Sequence, residues 1–212
     1  MQQIIFGTIK SYDDMGLFLK DLQKTSPEPK RNTVEVPGMD GTLDVTYGIG
    51  KEIRYKNRKI TLEFVVNNYE YQWEEIFSEI LNTLHGKRFH VYIEPDLQYY
   101  WDSFCSVNKV KSNRNKGTIV IDLDAKPYKC KDIEMTVPGS ISGREVELTL
   151  TRKPVVPEFV LVSSGTIEFN GETYTMDAGR HREPEIQMGA GTHQMTITSA
   201  GPVKIIYQDG SL

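Results

Sequence analysis

The sequence predicts a mainly β fold, arranged as two domains of unequal size. Three observations point to it: period-two strands dominate the chain, one segment alone has clear helical spacing, and everything after residue 143 consists of strands. A loop-like run, VPGSISG (residues 137–143), separates the two blocks. We therefore predict a β-sandwich or barrel-like domain with one helix over residues 1–130, and a smaller β-sandwich over residues 131–212, in a chain long enough to bury two cores.

Three segments of the first block alternate apolar and polar residues as half-buried strands do. They are RKITLEFVV (58–66), RFHVYIE (88–94) and GTIVIDLDA (117–125). Because successive side chains of a strand point to opposite faces, each segment has one face suited to a core.

The segment from about residue 69 to 85 is the predicted helix. A single apolar stripe recurs at helical spacing, formed by Trp73, Ile76, Phe77, Ile80, Leu81 and Leu84. Asn67 and Glu70 resemble a capping box, and Gly86 supplies a stop at the other end. The segment YDDMGLFLKDLQKT (12–25) fits a helix and a bent strand equally well.

The second block carries short strands separated by turn signals, which is typical of a small β-sandwich. The strongest signal is Asn170-Gly171, which predicts a type I′ hairpin between TIEF and ETYTM.

Charge and cysteine content restrict the classes of protein that the chain can belong to. Residues 1–130 hold 18 basic and 18 acidic side chains, whereas residues 131–212 hold 7 and 11, so the net charge of −4 arises in the second block. The two cysteines, Cys105 and Cys130, are too few for a disulfide scaffold and are predicted to be reduced thiols. No secretory signal or membrane-spanning run is recognisable, so we expect synthesis in a cytoplasm and no membrane insertion.

The motifs of the common enzyme classes are missing from the sequence. One cluster, RHREPE, combines His181 with Glu183 and Glu185, but its spacing matches no standard metal site, and a solvated loop is the favoured interpretation. We therefore predict a protein that is not an enzyme, with no catalytic residues, no metal and no cofactor.

Two basic stretches, KEIRYKNRK (51–59) and KVKSNRNK (109–116), allow phosphate contacts in principle. In a first block without net charge, a charged hairpin tip or strand face explains them better. Sequence-specific nucleic-acid binding is not expected.

Tyr99, Tyr100 and Trp101 form an aromatic cluster within DLQYYWD. The cluster could pack in the core, form a protein interface or serve as a platform for a glycan. We regard the three residues as possible partner or glycan contacts.

The stretch VEVPGMDGTLDV (34–45) places two turn signals almost back to back. Pro37 fixes its φ angle, while Gly38 and Gly41 permit backbone angles closed to other residues. The stretch is either an ordinary connection or a shaped loop that carries Met39 out between two bends.

The order of these motifs resembles the distal tail proteins of phages with long, non-contractile tails, including prophage copies. The residues that carry the resemblance are P-G-x-D-G-x-L-D (Pro37–Asp44), the R-K-I strand start, and L-H-G-K followed by a strand and D-x-x-Y-Y. It covers about residues 4–125, and the closing GPVKIIYQDGSL resembles the last strand of the sandwich domain in such proteins.

The resemblance implies a structural protein without an active site. Members form a homohexameric ring hub at the virion tail tip, assembled in the bacterial host cytoplasm, that joins the tail tube protein to a tail-associated tip or receptor-binding protein. The first domain would build the ring, and the second would be a sandwich similar to galectins or carbohydrate-binding modules. We place Pro37, Gly38, Met39, Asp40 and Gly41 at a possible subunit interface.

The alternative function is a carbohydrate-binding β-sandwich that recognises cell-wall glycans of the host. It depends on the predicted sandwich and on the cluster from Tyr99 to Trp101.

Overall fold

The computed structural model describes residues 2–46, 53–66, 73–113 and 116–212, without the side chains of residues 109–113 and 116. The chain divides into two compact units, Met1–Lys129 together with Leu212, and Cys130–Ser211. Both units consist mainly of antiparallel strands, which confirms the predicted mainly β class.

The first unit contains nine strands and a helix among its described residues. They are β1 (Ile4–Phe6), β2 (Ile9–Lys10), β3 (Leu17–Lys24), β4 (Thr33–Val34), β5 (Leu43–Asp44), β6 (Arg58–Val66), α1 (Trp73–Leu84), β7 (Arg88–Ile93), β8 (Tyr100–Asn113) and β9 (Lys116–Ala125). Within this unit, seven strands are hydrogen-bonded in the order β2-β1-β7-β8-β9-β6-β3, and β4 pairs with β5 in a separate hairpin.

The core of the first unit lies on the faces that the alternating patterns predicted. Ile60, Leu62 and Phe64 of β6 are opposite Leu123, Ile121 and Ile119 of β9, and all six are fully buried. Because residues of β1 and β3, near opposite ends of the strand order, share this one cluster, the sheet curves around a common core.

The helix α1 packs its predicted apolar stripe into the same cluster. Ile80 and Leu84 are buried, and the other stripe residues are partly buried against the core. Gly86 follows the helix with a φ of +72°, as expected of a glycine stop. The predicted start at residues 69–72 and the capping pair Asn67 and Glu70 lie outside the described residues.

The ambiguous segment forms a turn and then a strand. Gly16, with a φ of +63°, ends a turn, and β3 then pairs with β6 through Leu17 opposite Val66. Pairing with the neighbouring strand β6 therefore selects the strand over the helix, two conformations that the local sequence favours about equally.

Within the second unit, eight strands form a sandwich of two layers with four strands each. Its strands are β10 (Lys129–Val137), β11 (Ser140–Leu150), β12 (Glu158–Leu161), β13 (Gly165–Phe169), β14 (Glu172–Met176), β15 (Gly179–His181), β16 (Gly191–Ser199) and β17 (Val203–Ser211). One layer has the order β15-β12-β17-β10 and the other β11-β16-β13-β14. Apolar residues of both layers, such as Phe159 and Ile167, form a single core.

Two turn predictions in the second unit have different outcomes. Asn170 and Gly171 have φ angles of +53° and +83° between β13 and β14, which confirms the predicted hairpin. The predicted loop over residues 137–143 is corrected, because β11 already begins at Ser140. Gly143, with a φ of +82°, lies at a register shift opposite β16 and lets the strand continue through a bulge.

Candidate functional site

Beyond the sheet, the described residues that follow β3 and those that precede β6 pair with each other as an arm. Backbone hydrogen bonds join Thr25 N to Lys59 O (3.0 Å), Lys56 N to Glu28 O (2.8 Å) and Lys30 N to Arg54 O (2.7 Å). Farther along, the hairpin of β4 and β5 forms, with Val34 opposite Leu43. We call the described residues from Thr25 to Lys59 the arm.

The double turn lies at the tip of this hairpin and brings together all five residues predicted at a subunit interface. Met39 N donates to Val36 O over 3.1 Å, with Pro37 and Gly38 between them, and Gly38 has a φ of +83°. This matches a type II turn with proline first and glycine second. Gly41 has a φ of +81°, and nothing lies within 4 Å of a Cβ at either glycine, so the tip projects into open space.

The arm exposes a group of apolar side chains. Val34, Val36, Met39 and Leu43 are 39–49% exposed. Four of the ten large hydrophobic side chains exposed in the described chain thus lie within ten residues. Single exposed apolar residues are ordinary, but a cluster on a projecting hairpin indicates a contact surface.

Sequence reasoning identified Met39 but missed its three apolar neighbours on the arm. Alternation in a short strand predicts that one face is buried, and the sequence does not reveal that this hairpin lacks a core to cover it. The sequence signal that could have revealed this is the run of turn residues between Val36 and Leu43, because it limits each strand of the hairpin to two residues.

Polar contacts fix the base of the hairpin. Asp44 accepts hydrogen bonds from Arg31 Nη2 (2.8 Å) and from the backbone N–H of Thr46 (3.0 Å). Hydrogen bonds from Thr46 and Arg31 lower the pKa of Asp44 to about 2. The Thr46 hydroxyl also accepts from Asn32 N (2.9 Å), so both chain segments below the hairpin are joined.

The predicted aromatic contacts occupy different environments. Tyr100 is 4% exposed and stacks on His90 with ring centroids 4.1 Å apart, while Trp101 is 6% exposed and belongs to the core. Tyr99 is half-buried, with Lys129 Nζ 4.6 Å from the centre of its ring. Core packing therefore accounts for two of the three residues, and the contact assignment stays a prediction.

A cavity of roughly 180 Å³ lies beside this cluster in the first unit. It is lined by Lys24, Arg58, Ile93, Asp96, Tyr99, Trp101, Lys129 and Leu212. No sequence pattern predicts this cavity, because its charged residues come from four separated parts of the chain.

The remaining candidates show ordinary surface contacts. His181 Nε2 lies 2.8 Å from the carbonyl oxygen of Asp177, and among the described residues no three potential metal ligands cluster.

In the first basic stretch, Lys59 pairs with Asp122 (2.7 Å) and Lys56 with Glu28 (3.1 Å). The side chains of the second stretch lie outside the described part of the chain. No helix in that part is long and apolar enough to cross a membrane.

Comparison with known proteins gives a match in structure and none in sequence. No protein-family model and no curated protein matches the chain. Its structure is similar to the crystal structure of SPP1 Dit (gp 19.1), with a TM-score of 0.72 and 11% identity, over 100% of both chains. The chain has a Dit-like fold.

SPP1 Dit is described as a paradigm of the hub adsorption apparatus in phages that infect Gram-positive bacteria. The predicted resemblance to distal tail proteins is thereby confirmed at the level of the fold. A de novo designed double-stranded β-helix also aligns, with 13% identity over 38% of this chain and 99% of its own, but its TM-score of 0.26 is too low to carry an argument.

Proposed function

We propose that the chain is a distal tail protein, a structural hub of a phage tail tip. The observation that carries the proposal is the match to SPP1 Dit, because it spans both units and leaves no part of either chain unmatched. Fold similarity alone does not fix function, but a full-length match of a two-unit architecture is more specific than one shared domain.

In this function the first unit builds a homohexameric ring. A closed ring needs two different complementary surfaces on each subunit. The arm offers one of them, since its exposed apolar group at Val34, Val36, Met39 and Leu43 suits a contact between copies of the chain. We assign Pro37, Gly38, Met39, Asp40 and Gly41 to that contact, with the two turns shaping its tip.

The partners follow from the same proposal. The ring would bind the tail tube protein on one side and a tail-associated tip or receptor-binding protein on the other, in a virion assembled in the host cytoplasm. It would act without catalysis and without a cofactor.

Light scattering coupled to gel filtration, with negative-stain images, tests the ring. We expect a particle of about six times 24.2 kDa with six-fold symmetry, formed by the protein alone or with the tail tube protein added. A strict monomer at high concentration in the presence of the tail tube protein would refute the proposal.

Glycan binding at Tyr99, Tyr100 and Trp101 is the weaker candidate. Stacking on a sugar needs an open ring face, and Tyr100 and Trp101 are 4% and 6% exposed. A glycan array probed with the assembled protein would detect glycan binding at any site other than these three residues.

A further inference from the structure

The cavity in the first unit has a concentration of positive charge that its own carboxylate does not balance. Lys24 at the end of β3, Arg58 at the start of β6 and Lys129 all line it, whereas Asp96 is the one acidic side chain among the lining residues. Asp96 Oδ2 is 2.6 Å from Lys129 Nζ, so the carboxylate is already engaged by one cation.

Lys24 and Arg58 remain without an ion-pair partner among the described residues. Leu212 also borders the cavity. Burial and then the nearby charges of Lys129 and Arg58 lower the pKa of Lys24, against a smaller opposing effect of the Asp96 charge. Burial and the two cations disfavour the charged ammonium, and a bound anion would reverse the effect of the neighbouring cations.

Aromatic rings hold two of the cations in place. The guanidinium carbon of Arg58 is 4.7 Å from the centre of the Trp101 ring, and Lys129 Nζ is 4.6 Å from the centre of the Tyr99 ring. A ring face attracts the cation but leaves the donors at the edge of a guanidinium unused. Consistent with this, Arg58 Nε is buried without a hydrogen-bond partner in the described part of the protein.

The size of the cavity limits what it can hold. Sites for drug-sized ligands and cofactors occupy about 300–1,000 Å³. A cavity of roughly 180 Å³ suits a small head group rather than a nucleotide or an oligosaccharide. Planar guanidinium donors match the oxygen pairs of carboxylates and phosphates.

We propose that this cavity binds a single oxyanion group, a carboxylate or a phosphate monoester, with Arg58 as its principal donor and Lys24 and Lys129 as supporting cations. The proposal is independent of ring assembly, because all lining residues belong to one unit of one chain.

Titration with small probes tests the site directly. The protein is prepared with Trp73→Phe, which leaves Trp101 as its single tryptophan, and the fluorescence of Trp101 is followed with methyl phosphate or acetate at constant ionic strength. Isothermal titration of the unmodified protein with the same probes provides a second measurement. We expect saturable binding of at least one probe, and the tighter probe distinguishes a phosphate from a carboxylate ligand.

Matched variants distinguish a specific binding site from a general attraction of anions to positive charge. Lys24→Gln should weaken binding by about five-fold or more, and Arg58→Gln by more, whereas Lys20→Gln should leave it within about two-fold. Lys20 lies on the same strand as Lys24 but pairs with Glu63 (2.6 Å) and is absent from the cavity lining. Should Arg58→Gln fail to fold, Lys24→Gln still decides. Absence of saturable binding, or equal loss in Lys24→Gln and Lys20→Gln, would overturn the proposal.

Discussion

The guanidinium carbon of Arg58 lies 4.7 Å from the centre of the Trp101 ring, and this contact joins the core of the first unit to its cavity. Trp101 is 6% exposed and packs in the core. Its ring thus serves two purposes at once, since it fills the interior and holds a cation at the cavity wall. Trp101 is consequently better understood as a support of the site than as an exposed contact.

Replacing Trp101 with alanine should therefore destabilise the whole first unit. Truncation of a buried tryptophan typically costs about 3–5 kcal/mol. Urea denaturation followed by circular dichroism should show this loss, whereas Tyr99→Ala, at a half-buried position, should cost clearly less. A Trp101→Ala variant of nearly unchanged stability would show that the ring is not part of the core.

Asp44 should titrate far below an ordinary aspartate, with a pKa of about 2 set by Thr46 and Arg31. Because the pKa of this acid is lowered on folding from about 3.9, its stabilising effect is present above pH 4 and is lost as the pH falls towards 2. The carboxyl carbon shift of Asp44 in NMR spectra measures this directly.

Arg31→Gln should raise the pKa of Asp44, since it removes a donor and a positive charge 2.8 Å away. Lys56→Gln, which removes a cation paired with Glu28 elsewhere on the arm, should leave that pKa in place. Equal responses to the two changes would mean that general charge, and not the local contacts, sets the pKa.

The thiol of Cys105 should be inert in the folded protein, because burial raises its pKa to about 12. At pH 8 a thiol reagent should label Cys105 only after denaturation, measured in a Cys130→Ser background. An unfolded thiol titrates near 8.5. The folded protein therefore loses stability as the pH rises from about 8.5 towards 12, and Cys105→Ala in the same background should reduce that loss. Fast labelling of the native protein would contradict the burial.

Much of the first unit could be predicted from sequence because period-two alternation is a local property. Ile60, Leu62 and Phe64 face the core as their spacing predicted. Their pairing with Leu123, Ile121 and Ile119 could not be predicted, since strand register depends on residues about 60 positions away along the chain.

Alternation alone does not account for the burial of both Tyr100 and Trp101. Neighbouring strand residues point to opposite faces, so burial of both means that the sheet is covered on both sides there. His90 and Tyr92 pack on Tyr100, while the core covers Trp101. The cavity escaped prediction because no motif unites Lys24, Arg58 and Lys129 before the chain folds.

Gly117→Ala should destabilise the packing of the helix on the sheet. A Cβ at residue 117 would lie 1.8 Å from the Trp73 ring, which stacks on Phe77. Overpacking of this kind typically costs about 1–3 kcal/mol. In a double-mutant cycle measured by urea denaturation, Trp73→Ala should remove most of the added cost, and strict additivity of the two changes would show that the ring is not the obstacle.

Met39→Asp should abolish ring assembly while the subunit keeps its stability. Met39 is 46% exposed at the arm tip, and a surface substitution of this kind usually changes stability by no more than about 0.5 kcal/mol. In a subunit contact, however, the new carboxylate would lose its water without gaining a partner, which is strongly unfavourable. Light scattering should therefore report smaller species, with an unchanged denaturation midpoint for the subunit.

Val162→Asp, at a 67% exposed apolar position in the second unit, is the matched control and should still assemble. If Met39→Asp assembles as well as Val162→Asp does, the double turn around Met39 only connects β4 to β5, and the ring contact lies elsewhere.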